Sequence, residues 1–245
     1  MIRGIYTAAS GMLAETTRTD TIANNLANAN TTGYKKDIAV SKDFASLLIR
    51  RINDGQDAPV IGTLGIGAMI DQVATIQTAG GMRPTGSSLD FAVDGKGFFA
   101  IETPAGVRFT RNGAFTRSAQ GELVTHEGYR VLGQNGPLRI PDGKISVDGS
   151  GRITNGGIAA GQLRVVEFAD ERQLVKEGDS LFRAPGNGRP ASGNVVQGFL
   201  EQSNVNVVSE MVNLIAGYRA YEVNAKTVQA HDQLLDKAVN EVGKV

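Results

Sequence analysis

Between Met211 and Val242 the chain carries a hydrophobic stripe longer than most single domains can use. Met211, Leu214, Tyr218, Tyr221, Ala225, Val228, Asp232, Leu235, Val239 and Val242 alternate steps of three and four for over four heptads, and Asp232 alone breaks the apolar rule. That spacing is the seam of an amphipathic helix. A helix from about Asn206 to Val242 would be about 50 Å long at ~1.5 Å per residue. It has no proline and Gly217 is its one interior glycine. Asn204 or Asn206 is suited to cap its start and Gly243 to close its end. A weaker stripe opens the chain, with Ile2, Ile5, Ala9, Met12, Thr16, Thr19, Ala23 and Leu26 predicting a helix over residues 2 to about 29. Two of its eight positions are threonine, so alone it would be marginal in water.

Between the two helices the period changes. "LDFAVDGKGFFAIETPAGVRFTRNGAFTRSAQGELVTHEGYRVLGQNG" alternates short β-prone runs with turn signals, and the series continues to "VVQGFLEQS". Asn-Gly and Asp-Gly pairs favour tight hairpins because their central residues need positive φ. About ten short strands are expected between residues 76 and 203. The segment from Asn53 to Met69 holds too much glycine for either periodicity and reads as extended linker. The expected architecture is α+β: terminal helices at 1–30 and 204–245 forming a coiled-coil-like pair, a linker at 31–75, and a central antiparallel all-β domain at 76–203. Pairing of the helices requires the β domain to bring residues 30 and 205 close together.

The formal charge of zero, from 25 basic and 25 acidic side chains, argues against a nucleic-acid partner. With no cysteine, disulfides and thiolate metal sites are excluded. No apolar run approaches a membrane span, and Arg3, Glu15, Arg18 and Asp20 break the opening segment where a cleaved signal would be apolar. His126 and His231 are too far apart to point to a metal site, and ordinary surface or packing roles are expected of them. "DGKGFF" reads as a turn followed by two core phenylalanines, not a phosphate loop. "GTLGIGAM" lacks the strand–turn–helix frame of a dinucleotide site. No nucleophile stands beside a base, so no catalytic residue, cofactor, metal or small-molecule ligand is expected.

The opening "IYTAASGMLAETTRTDTIANNLANANTTGYKK", the closing "GFLEQSNVNVVSEMVNLIAGYRAYEVNAKTVQAHDQLL" and the middle "LDFAVDGKGFFAIETPAGVRFTRNGAFTRSAQGELVTHEGYRVLG" resemble the bacterial flagellar axial proteins of the rod and hook. The length leaves no room for a hook protein's outer domains. "GPLRIPDGKISVDGSGRI" and "KEGDSLFRA" resemble the proximal-rod type slightly more than the distal. The resemblance implies a subunit exported by the flagellar type III apparatus without a cleaved signal, assembled in the cell envelope with itself and other rod subunits. Its alternatives are a distal-rod or hook-type subunit or, from another class, a β-domain adhesin displayed on a helical oligomer. The absence of tryptophan, common in sugar sites, disfavours the adhesin.

The same resemblance implies that the helix ends form the assembly interface. On the N-terminal side the expected residues are Ile2, Ile5, Ala9, Met12, Asn24, Asn25, Leu26, Asn28, Thr32, Gly33 and Tyr34. On the C-terminal side they are Asn204, Asn206, Met211, Leu214, Tyr218, Arg219, Tyr221, Glu222, Asn224, Val228 and Leu235. The run of amides in "IANNLANAN" is odd, because asparagine competes for helix backbone groups. Asn24 and Asn28, one turn apart, are expected to fix register against one neighbour, with Asn25 and Leu26 facing elsewhere. Thr32-Gly33 is expected to end the helix, and Tyr34 to anchor the exit. Arg219, Tyr221 and Glu222 read either as surface pairing along one helix or as contacts between subunits.

Overall fold

The computed structural model describes residues 2–44, 46–50 and 60–242. Two compact units emerge, one of Met1–Leu26, Asp37–Ala74 and Asn206–Val245, the other of Ala27–Lys36 and Thr75–Val205.

The first unit contains both long helices. α1 spans Ile2–Ala27 and α2 spans Val207–Lys237, followed by a π turn over Ala238–Val242. Asn206 is the cap of α2, its side chain accepting a hydrogen bond from the Ser209 amide at 3.0 Å. Glu210 in the first turn and Lys237 in the last complement the helix dipole. Gly243, expected to close the helix, lies outside the described residues. The helices run antiparallel and meet at glycines. A Cβ on Gly4 would sit 2.5 Å from His231 Nε2, one on Gly11 would sit 2.9 Å from Asn224 Nδ2, and one on Gly217 would sit 2.7 Å from Thr19 Cγ2. As α1 advances through 4, 11 and 19, its partner on α2 retreats through 231, 224 and 217.

This register corrects half of the expected stripe. Leu214, Val228 and Leu235 are half-buried, but Met211, Tyr218, Asp232 and Val239 are exposed, as are Thr16 and Ala23 of α1. Their places are taken by Glu210, Gly217, Asn224 and His231 on α2, and by Ala8, Thr19 and Ile22 on α1. Gly4, Gly11 and Gly217 each leave room for a polar side chain of the opposite helix, while several bulkier apolar residues of α2 point out.

The stretch expected as linker carries four strands: β1 (Asp37–Asp43) pairs with β4 (Ala68–Thr75), and β2 (Ser46–Arg50) with β3 (Val60–Gly65). The register from Ser46 opposite Gly65 to Ile49 opposite Gly62 is antiparallel. Part of the expected linker, residues 51–59, lies outside the described residues. Its corner is held to α1, where the Thr7 hydroxyl donates to Ile66 O at 3.2 Å and Ser10 Oγ accepts from the Ala68 amide at 3.4 Å.

The second unit is antiparallel β, cut into seventeen short strands where about ten were expected. Its central strand, Phe98–Thr103, pairs with Gly106–Thr110, Arg130–Gly133 and Val165–Glu167. Side chains alternate across a sheet, so Phe99 and Ile101 enter one core with Phe91, Leu123 and Ile153, while Phe98 and Ala100 enter another with Phe109 and Phe182. "FFAI" is therefore apolar throughout because both faces of this strand are covered.

Three charged side chains are sealed inside this unit. Lys35 is 0% exposed, Glu201 1% and Arg111 3%. Glu201 Oε1 accepts from Lys35 Nζ at 2.5 Å and from the Gly80 amide at 3.0 Å; Oε2 accepts from Arg111 at 3.3 Å. The cations also donate to backbone oxygens, Lys35 to Thr78 at 2.8 Å and Arg111 to Val93 at 3.1 Å and Gly95 at 2.7 Å. Arg111 Nε has no hydrogen-bond partner among the described residues, and the Arg111 guanidinium lies 5.1 Å from the Phe98 ring centroid. Burial pulls both cations below their ordinary pKa, and the Glu201 carboxylate opposes that pull. Removing one partner of a buried pair costs about 3–5 kcal/mol because the survivor stays charged and dry. Glu201→Gln should approach that loss, since it strands two cations, whereas Lys35→Met leaves Glu201 paired with Arg111 and should cost less. Urea denaturation of the full chain measures the order.

Candidate assembly interface

The asparagine run at the end of α1 divides its labour. Asn25, 1% exposed, donates from Nδ2 to Asp37 O at 2.7 Å and accepts from the Asp37 amide at 2.9 Å, so one side chain satisfies both backbone groups that open β1. Asn24 is exposed; Asn28 is half-buried and accepts from the Thr31 hydroxyl at 3.2 Å. Asn25, expected to face away from the neighbour that Asn24 and Asn28 meet, is thus held by the backbone of its own chain. Leu26 is half-buried.

α1 ends at Ala27, before Thr32, and the residues that follow are woven into the β unit. The Thr32 hydroxyl donates to Asn112 Oδ1 at 2.7 Å. Gly33 has φ +66° and donates its amide to Glu201 O at 2.8 Å; a side chain there would strike the backbone at Arg111–Asn112. Only glycine takes that conformation without strain. Tyr34 is buried, with the Lys176 ammonium 3.7 Å from its ring centroid and donating to Lys35 O at 2.7 Å.

Asn204, one of the two candidate caps, closes this junction instead. Its Oδ1 accepts from the Lys36 amide at 2.7 Å, and its Nδ2 donates to Ile76 O at 2.8 Å and Thr78 O at 3.1 Å. The Asn204 amide reaches Tyr34 O at 3.4 Å. The required approach of the 30s to residue 205 is thereby met. Lys35, Arg111 and Glu201, which form the charged centre here, were not singled out by sequence reasoning: no spacing connects positions so far apart. Asn204→Leu removes the partners of a half-buried amide and carbonyl, a loss of about 1 kcal/mol for each hydrogen bond. Faster hydrogen exchange at the Lys36 amide is the expected readout.

On the helices, Ile5, Ala9, Met12, Leu214, Asn224, Val228 and Leu235 are half-buried, while Met211, Tyr218, Arg219, Tyr221 and Glu222 are exposed. The side chain of Ile2 lies outside the described residues. Glu222 pairs with Lys226 one turn on at 2.8 Å, and that contact, with a smaller contribution from Arg219, holds its carboxyl below the usual range. His126 is exposed and His231 packs against Gly4. Among the described residues no cluster has the makings of a metal site, and no helix is long and apolar enough to cross a membrane.

Comparison with known proteins matches three segments of the chain to family models. Residues 5–35 match one described as flagella basal body rod protein, residues 92–155 the flagellar hook protein FlgE/F/G D1 domain, and residues 196–241 the flagellar basal body rod FlgEFG protein C-terminal. Among curated relatives, the flagellar basal-body rod protein FlgG of Bacillus subtilis is 36% identical over 98% of this chain and 99% of its own. FlgG of Agrobacterium fabrum is 38% identical over 95% and 97%. FlgF of Caulobacter vibrioides is 35% identical, with both chains covered in full. Motifs, relatives and fold agree, and the chain belongs to the flagellar basal-body rod protein family.

Proposed function

We propose that this structural subunit of the flagellar basal body sits in the proximal rod and builds it through its paired terminal helices. Its work is packing, and it is not an enzyme. A proximal position is favoured by the resemblance of "GPLRIPDGKISVDGSGRI" and "KEGDSLFRA" to that type. The curated relatives include both FlgG and FlgF, so the proximal position rests on that resemblance alone.

The observation that carries the helix-pair reading is the antiparallel glycine register. Successive contacts on α2 fall seven residues apart, the repeat of a coiled coil. What the pair buries is mostly small or polar, while Val208, Met211, Ile215 and Tyr218 remain exposed. Two narrow seams bury too little area, at about 25 cal/mol per Å², to offset the ordering of so much chain. Neighbouring subunits supply the missing burial, and a partner set of like and related rod subunits follows.

Limited proteolysis with mass spectrometry of the purified chain, beside electron microscopy at high concentration, tests this. Cleavage is expected within α1 and α2 of the monomer, with survival of a core from about residue 30 to 205. Filaments should form only from chains with both ends intact. Protected helices in a small closed oligomer would instead favour a β domain displayed for binding. Gly217→Leu, which drives a side chain into Thr19, should lower helical circular dichroism and abolish filaments while leaving the resistant core unchanged.

A further inference from the structure

The helical unit carries an apolar ridge at one end and an apolar groove at the other. The ridge is the outer face of α2, where Val208, Val212 and Ile215 are 72%, 61% and 55% exposed. The groove, of about 420 Å³, is lined by Tyr6, Ala9 and Leu13 of α1 together with Phe44 and Ile66 of the hairpin, and Arg3 stands in its wall. Leu13 is 72% exposed and Tyr6 69%. Apolar surfaces of this kind on a monomer mark contact sites.

The charges around them are complementary. Arg3 beside the groove and Asp20 on α1 are both exposed, and neither has an ion-pair partner among the described residues. Asp20 lies on the same α1 stripe as Tyr6 and Leu13, seven residues further on. By the antiparallel register, the middle of the ridge stands opposite about residue 24 of α1, and the groove is centred near residue 8. Those sixteen residues amount to about 24 Å along the axis at ~1.5 Å per residue. The seventeen from Arg3 to Asp20 amount to about 25 Å on the same scale. One axial displacement therefore satisfies the apolar and the charged contacts together.

Resting on the rod-subunit reading, we infer that the ridge of one copy seats in the groove of the next, with Asp20 of the first facing Arg3 of the second. The contact joins two different surfaces by translation along the helix pair, so it does not close on itself and stacks without limit.

The chain has no cysteine, which makes the contact testable by crosslinking. Full-length Leu13→Cys and Val208→Cys chains, mixed under assembly conditions and oxidised, should give a disulfide-linked dimer at least several-fold above either alone. Val223→Cys, exposed but off the ridge, should not substitute for Val208→Cys. Arg3→Asp or Asp20→Arg alone should raise the concentration for half-assembly about fivefold, the scale of one exposed ion pair, and the double variant should restore it. Filaments without the Leu13–Val208 crosslink, or charge variants that fail to rescue one another, would overturn this docking and leave the rod reading standing. No filaments under any condition would overturn both.

Discussion

The chain must enter and leave its β unit beside itself, and one carboxylate makes that possible. Glu201 holds Lys35, which follows the first helix, Arg111 from the middle of the sheet, and the Gly80 amide, all within hydrogen-bond reach. Its own backbone carbonyl takes the Gly33 amide. A buried pair is a poor source of net stability, because desolvation consumes most of the Coulomb gain. What it supplies is discrimination: any other threading leaves a charge dry and alone. The cluster keeps one positive charge in excess, and the carbonyls of Thr78, Val93 and Gly95 spread it.

The helices follow the opposite economy. Between them glycines stand opposite histidine, asparagine and threonine, polar side chains that bring little transfer free energy. The larger apolar groups stay in water, a cost that a monomer bears and an assembly removes. A subunit built this way is incomplete by composition, in keeping with a family whose members form a rod.

How much of this could be read from the sequence depended on whether a signal was local. Helix positions, the N-cap at Asn206 and the hairpin turns came from neighbours in the chain. The phase of the α2 stripe did not: Leu214, Tyr221, Val228 and Leu235 belong equally to a seam completed by Met211 and Tyr218 or by Gly217 and Asn224. Hydrophobicity favours the first, whereas the fit of polar side chains against glycines selects the second. Lys35, Arg111 and Glu201 were invisible because no period links them. That Asn25 faces elsewhere than Asn24 and Asn28 was legible, but its partner, the Asp37 backbone, lies beyond a turn that sequence does not resolve. The hairpin was missed because its strands pair only with one another, in a stretch whose glycines mask the alternation.

That hairpin is closed at its foot: the Ile76 amide donates to Lys36 O at 2.8 Å, where the chain returns to the β unit. A loop pinned at its base can change length cheaply, since closure entropy grows only logarithmically with the number of residues enclosed. Insertions or deletions between residues 37 and 75 would leave the Glu201 cluster and both cores untouched. This is the place where a rod subunit of this design can acquire a new reach without having to refold.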